Sequence, residues 1–177
     1  STISIANLNA DSGTGVTLTE TNAVTNLAGH TQNGNFAFTN NGDLNIGKID
    51  VISGIESAGG GNITLTSSTG KVTQDGTGLL KSTGTLTVSA QNGIFLSTAS
   101  NAVDTGITLT NSGTGSLEYK GSMSGVLDVS ATNTSGDITI DATGPYLKAS
   151  NVSNTSGNIN FKGSNDVKLA GTVVSSG

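Results

Sequence analysis

Apolar and polar residues alternate along this chain in short runs, and many of the runs open on a glycine. Residues 61–66 read GNITLT, and close variants follow as GVTLT at 15–19, GTLTV at 84–88, GITLT at 106–110, GDITI at 136–140 and GNINF at 157–161. A period of two over four to six residues, bounded by Gly, Asn and Ser, is the signature of a half-buried strand. The pairs Val16 and Leu18, Phe36 and Phe38, Ile63 and Leu65, Leu86 and Val88, Ile107 and Leu109, Leu127 and Val129, and Ile159 and Phe161 fall on one face of such strands.

The runs are also periodic among themselves. Gly61 to Gly84 is 23 residues, Gly84 to Gly106 is 22 and Gly136 to Gly157 is 21. A second apolar series trails the first: Leu44 and Ile46, Val72, Ile94 and Leu96, Leu117 and Tyr119, Ile138 and Ile140, Val167 and Leu169. A weaker third passes through Ile55, Leu79, Val103, Val126, Leu147 and Val173. Three short strands in each turn of roughly 20–23 residues predict an all-β, right-handed parallel β-helix (a β-solenoid) of about 7–8 coils. Stacked at the usual strand spacing, eight coils make a rod about 38 Å long. An antiparallel sandwich, with hairpins at Asn33-Gly34, Asn41-Gly42 and Asn92-Gly93, is the competing architecture. The return of one phrase at a fixed interval favours the solenoid. The rhythm is weakest at 20–33 and at 141–156, where the only proline, Pro145, marks a corner or an interruption. Nothing divides residues 1–177 into more than one domain, and the chain reads as a segment of a larger exoprotein.

Composition narrows what such a rod can do. Of 177 residues, 26 are Gly, 27 Thr, 23 Ser and 19 Asn, while aromatics make up 3% and Trp is absent. The core must therefore be built from regularly placed Val, Ile and Leu. The 11% charged residues and abundant β-branched ones set the chain apart from a disordered one. Net charge is −5 and the seven basic residues are all Lys, so nucleic-acid binding, which favours Arg and stacking aromatics on a basic stripe, is not expected. With no Cys there are no disulfides or thiolate metal sites. No run approaches the roughly 18 apolar residues of a membrane-spanning helix, and no membrane insertion is expected.

Candidate chemistry is sparse. His30, the only histidine, sits in LAGHTQNG, a turn-like setting. Asp137 and Asp141 flank Ile138 and Ile140, with Asp128 on a neighbouring run. Paired carboxylates on a β-helix raise the possibility of a polysaccharide-degrading enzyme or of a calcium site. The absence of Arg and of dense acidic spacing points away from both, and the chain reads as a non-enzyme with no cofactor. GDLNIGK at 42–48 resembles a phosphate loop, but Ile49 replaces the required Ser or Thr and no helix follows. Asn62, Asn133, Asn151 and Asn154 head glycosylation sequons by pattern.

The most regular surface feature is a set of threonines. If Ile63 and Leu65 point inward, Thr64 and Thr66 point outward. The same register exposes Thr17 and Thr19, Thr85 and Thr87, and Thr108 and Thr110. Thr is a good strand former that tolerates water, which explains the pattern without function. The alternative is an ice-binding face made of Thr-x-Thr files. Counted from the sequence, the files are interrupted by Ala37 and Thr39, by Asp128 and Ser130, and by Asn158 and Asn160, and an ice face tolerates Asp poorly.

The phrases GNITLTSSTGKV, GTLTVSAQNGIFL, SGDITIDATG and SGNINFKGS resemble the repeat region of filamentous-haemagglutinin-type exoproteins, from about residue 34 onward. The resemblance implies a secreted, extracellular adhesive rod displayed on a bacterial cell surface. It further implies an outer-membrane secretion partner and a host-cell or surface glycan as ligand. The alternating starts and finishes STISIANL and KLAGTVVSSG carry no evident cap, so end-to-end self-association, or stacking on further coils of the same chain, is expected.

Overall fold

The computed structural model describes residues 1–176. Strands follow one another with no helix among the described residues: β1 (Ser4–Ser12), β2 (Val16–Thr31), β3 (Phe36–Asn40), β4 (Leu44–Ile46), β5 (Lys48–Ile49), β6 (Ile52–Ser53), β7 (Ile55–Ser57), β8 (Ile63–Ser67), β9 (Val72–Gln74), β10 (Leu80–Ser82), β11 (Thr85–Ala90), β12 (Ile94–Val103), β13 (Gly106–Asn111), β14 (Leu117–Ser122), β15 (Val126–Asn133), β16 (Ile138–Thr143), β17 (Tyr146–Asn154), β18 (Ile159–Gly163) and β19 (Asp166–Ser175). Apart from the β5–β6 hairpin, every pairing is parallel, between strands one coil apart. The chain is a β-solenoid of about 8 turns, and the sandwich is excluded. Gly34, Gly42 and Gly93 do adopt positive φ (110°, 94° and 108°), but they turn corners between parallel strands.

Two ladders run the length of the stack. Ladder A joins β1, the C-terminal half of β2, β4 with β7, β9 with β10, β12, β14, β16 and β18. Ladder B joins the start of β2 to β3, β8, β11, β13, β15, β17 and β19. Inward files of ladder B run Phe36–Ile63–Leu86–Ile107–Val129–Ala149 and Phe38–Leu65–Val88–Leu109–Ala131–Val152, every member buried. Those of ladder A include Leu44–Val72–Ile94–Leu117–Ile138. The core is thus a set of apolar columns, each side chain resting on its equivalent one coil below.

Corners are closed by two devices. Glycine keeps Cβ atoms out of the backbone of the adjacent coil: at Gly157 (φ 120°) a Cβ would come within 2.3 Å of the Gly136 carbonyl oxygen. Buried amides satisfy the polar groups left there. Asn40 Oδ1 accepts Val24 N–H at 2.8 Å while its Nδ2 donates to the Val24 carbonyl at 2.9 Å. Asn111 Nδ2 donates to Asn133 Oδ1 at 2.8 Å, and Asn133 Nδ2 to the Gly136 carbonyl at 2.9 Å. Among the described residues the one buried side-chain polar atom without a partner is Asn154 Oδ1, in the same file.

Several sequence assignments shift. Ile159 and Phe161 stack on Ile138 and Ile140 in ladder A, and Val167 and Leu169 on Leu147 and Ala149 in ladder B, reversing the series expected for both pairs. Both ladders need a corner glycine followed by alternation, so the phrase does not tell them apart. Val129 and Ala131, not Leu127 and Val129, occupy the slots of Ile107 and Leu109, because β15 starts a step early. In the third series Leu80, not Leu79, stacks on Ile55, while Val126, Leu147 and Val173 belong to ladder B. Three strands per coil occur in β3–β4–β7 and β8–β9–β10; later coils use two longer ones. Pro145 does sit at a corner, between β16 and β17.

Candidate functional site

The outward residues of β3, β8, β11, β13 and β15 define one continuous face. Their ladder has no bulge from Phe36 to Asn133, so outward side chains stack strictly in columns. One column reads Ala37, Thr64, Thr87, Thr108, Ser130, and the next reads Thr39, Thr66, Ser89, Thr110, Thr132. All ten are exposed or half-buried. Thr17 extends the first column by one coil, facing Ala37.

This register differs from the one counted along the sequence. Thr85 does not stand beside Thr64; it pairs with Gly106, which in turn pairs with Asp128, one step outside the two columns. Thr19 lies where the β2–β3 register shifts between Leu18 and Asn22 and joins neither. Asp128 is therefore no interruption, and Asn158 and Asn160 belong to the other ladder, where Asn160 pairs with Thr139. Of the eight threonines singled out, Thr64, Thr66, Thr87, Thr108 and Thr110 are brought together, with Thr17 at their margin.

The hydroxyls of these columns share a second property. Among the described residues, none of Thr64, Thr66, Thr87, Ser89, Thr108, Thr110, Ser130 or Thr132 uses its hydroxyl in a hydrogen bond within the protein. Elsewhere comparable groups are engaged: Thr73 Oγ1 donates to Asn45 Oδ1 at 3.2 Å, Ser97 Oγ to Glu118 at 2.9 Å and Thr85 Oγ1 to Asn62 Oδ1 at 2.9 Å. The face therefore offers donors and acceptors only outward.

The other candidates are dispersed. His30 Nδ1 lies 3.1 Å from Asp11 Oδ1 on the ladder A surface, and its neighbour in the next coil, Glu56, is paired with Lys81 at 2.8 Å. Asp137 and Asp141 sit on ladder A and Asp128 on ladder B, so the three carboxylates do not converge. Asp137 accepts the Asn158 N–H at 2.8 Å, Asp141 pairs with Lys162 at 3.1 Å, and Asp128 pairs with Lys148 at 2.6 Å and with the Ser150 hydroxyl. Partial burial opposes ionisation of Asp128, but the bonds from Lys148 and Ser150, with the lysine charge, outweigh it and hold the carboxyl below its ordinary range. Residues 42–48 form β4 and the start of a hairpin, with Leu44 and Ile46 buried.

Sequence reasoning missed that hairpin. The coil from Phe36 to Ile63 is 27 residues long because β5 and β6 project from it. At its tip Asp50 takes a positive φ of 55° and Val51 is 81% exposed. Beside it lies a cleft of about 330 Å³ lined by Asn7, Asn26, Asn45, Lys48, Asp50 and Asp75. The Asp75 carboxyl is held low chiefly by the Thr77 hydroxyl, 2.6 Å away. The lengthened interval between FAFT and ITLT was the available signal. Among the described residues no three His, Asp or Glu side chains gather as a metal site. Comparison with protein-family models, with curated proteins and with solved structures finds no match to this chain.

Proposed function

We propose that this chain is a rod-forming segment of a secreted or surface-displayed exoprotein of the filamentous-haemagglutinin type, in which stacked coils carry an attachment surface away from the cell. The reading is supported by the phrases that resemble that family, which lie on the strands that build the coils. The observation that carries it is the state of the end coils. The inward files run into both of them uncovered: Ile5 is 49% exposed at one end, and Val167 and Leu169 are 40% and 62% exposed at the other. Among the described residues β1 and β19 each present an unpaired edge in the same parallel sense, so the edge of β18 and β19 is complementary to that of β1 and β2. Heterologous contacts of this kind propagate into filaments. A surface glycan as ligand and an outer-membrane barrel as export partner belong to the same proposal.

Sedimentation of the purified chain over a range of concentrations tests the rod. Head-to-tail association that grows with concentration and changes little with salt is expected, since backbone bonds and apolar columns would hold it. A strictly monomeric species at high concentration, with β1 and β19 amides slow to exchange, would overturn the proposal.

A further inference from the structure

We infer that the outward face of β3, β8, β11, β13 and β15 is an ice-binding surface. The observation behind it is the register. Counted from the sequence, the threonine files are broken by an aspartate; in the structure they are not. The two adjacent columns hold seven threonines, two serines and one alanine over five consecutive coils, with no charge among them. Columns repeat at the parallel strand spacing of about 4.8 Å, and neighbouring positions on one face of a strand lie about 6.6 Å apart. The hydroxyls and methyls therefore stand on a rectangular lattice whose two spacings are of the same order as the oxygen repeats on the faces of hexagonal ice.

Two further properties fit a solid water surface better than other occupants. The hydroxyls have no partners within the protein, so each remains a donor and acceptor for water. The backbone ladder fixes their positions before binding, so little ordering cost is left for the encounter. Each threonine also presents a methyl group beside its hydroxyl, which favours caged, ice-like water over bulk hydration. A flat polysaccharide would be expected to meet aromatic platforms, and these columns contain none. Nucleic acid would require positive charge, also absent from them. The face is bounded by the column of Thr85, Gly106, Asp128 and Lys148, where charge begins and the glycine leaves a dent. This inference stands apart from the rod proposal: a monomer could bind ice, and a filament could lack the ability.

The test is thermal hysteresis and ice-crystal shape with the purified full chain, set against a double variant and a control. Thr64→Tyr with Thr108→Tyr places bulk on the first column, and Thr139→Tyr is its control on ladder A. Far-UV circular dichroism checks that each retains the β-fold. Faceted crystals and a measurable freezing-point gap are expected for the unmodified chain and for Thr139→Tyr, and their loss for the double variant. Thr87→Lys serves in its place should the tyrosine pair perturb folding. Unmodified protein without hysteresis or crystal shaping would overturn the inference. So would hysteresis that survives Thr64→Tyr with Thr108→Tyr, or that falls equally in Thr139→Tyr.

Discussion

Ladder A and ladder B share one core and one strand spacing, yet their outer surfaces are chemically unlike. On ladder A, side chains one coil apart are tied to each other. Asn26 Nδ2 donates to Asn7 Oδ1 at 2.8 Å, Asn45 Nδ2 to Asn26 Oδ1 at 3.1 Å, and Thr73 continues the file. Charged residues there alternate in sign, as Glu56 with Lys81 and Asp141 with Lys162. On ladder B between β3 and β15 the two threonine columns are uncharged and make no such bonds. A stack that repeats every coil turns any outward residue into a column, and the column either closes on itself or stays open to solvent. Ladder A shows the first outcome and ladder B the second.

The largest effect should come from the part the two ladders have in common. Leu65 and Leu109 of ladder B and Ile140 of ladder A are all fully buried. Aspartate at any one of them places an unpaired charge in an apolar column, and a cost above about 4 kcal/mol, or outright failure to fold, is expected. Thr64→Asp and Thr108→Asp, one residue away and outward, should stay within about 1 kcal/mol. Denaturant melts of the five variants check the ranking; a severe Thr64→Asp beside a mild Leu65→Asp would reverse the assigned faces.

Next in size are the corner amides that link the ladders. Asn133→Ala removes a donor to the half-buried Gly136 carbonyl and a buried acceptor for Asn111 Nδ2. The Gly136 carbonyl keeps its bond from Asn154 Nδ2 and Asn111 Nδ2 keeps those to the Thr114 and Gly115 carbonyls, so neither group is orphaned. The bonds lost are worth about 0.5–1.5 kcal/mol each, and a fall of about 1–3 kcal/mol is expected by chemical denaturation. Asn158→Ala, at the exposed corner one coil farther on, should cost under about 0.5 kcal/mol.

How much of this was legible depends on what each position does. The first inward files were clear because Ile63, Leu65, Leu86, Val88, Ile107 and Leu109 are large and alternate with threonine. Farther along, alanines take the same slots, as Ala131 and Ala149 do, and a strand pattern built on alanine is nearly silent. The bend of ladder A was read poorly because its inward slots hold Gly29, Asn101, Gly121 and Ala142 beside Ile55 and Leu80. Such residues look like loop. Outward columns were misaligned for a related reason: Thr85 and Thr87 read as a Thr-x-Thr pair like Thr64 and Thr66, and only the pairing of Leu86 with Ile63 shows the offset of one step. The β5–β6 hairpin breaks the period itself, so a repeat-based reading passes over it.

A smaller effect separates the two surfaces directly. Asn26→Ala interrupts the amide file on ladder A and should cost about 0.5–1.5 kcal/mol, the usual net worth of the bonds lost. Thr87→Ala on ladder B removes a hydroxyl that makes no bond within the described residues and should change stability by less than about 0.5 kcal/mol. Equal losses for the two, measured in parallel melts, would erase the distinction between a closed column and an open one.

The smallest effect lies at the border of the open face, where Asp128 meets Lys148 and Ser150. Its carboxyl is held below its ordinary value in the folded state, so the folded state favours the charged form. The sign follows from that. Above the unfolded carboxylate value of about 3.9 the stabilisation is fully present, and it is lost as pH falls through that value toward the lower folded one. The group is 42% exposed at its side chain, so solvent screening holds the contribution to under about 1 kcal/mol. Asp128→Asn keeps the size of the side chain and removes the titration. At pH 6 the unmodified chain should melt slightly higher than the variant, and the gap should close as pH drops toward 2, while general acid destabilisation lowers both curves. Added salt at pH 6 should narrow the gap in the same direction. A gap that widens on acidification would mean that Asp128 is stabilised in its protonated form, and that the charge bordering the threonine columns is not maintained by its lysine.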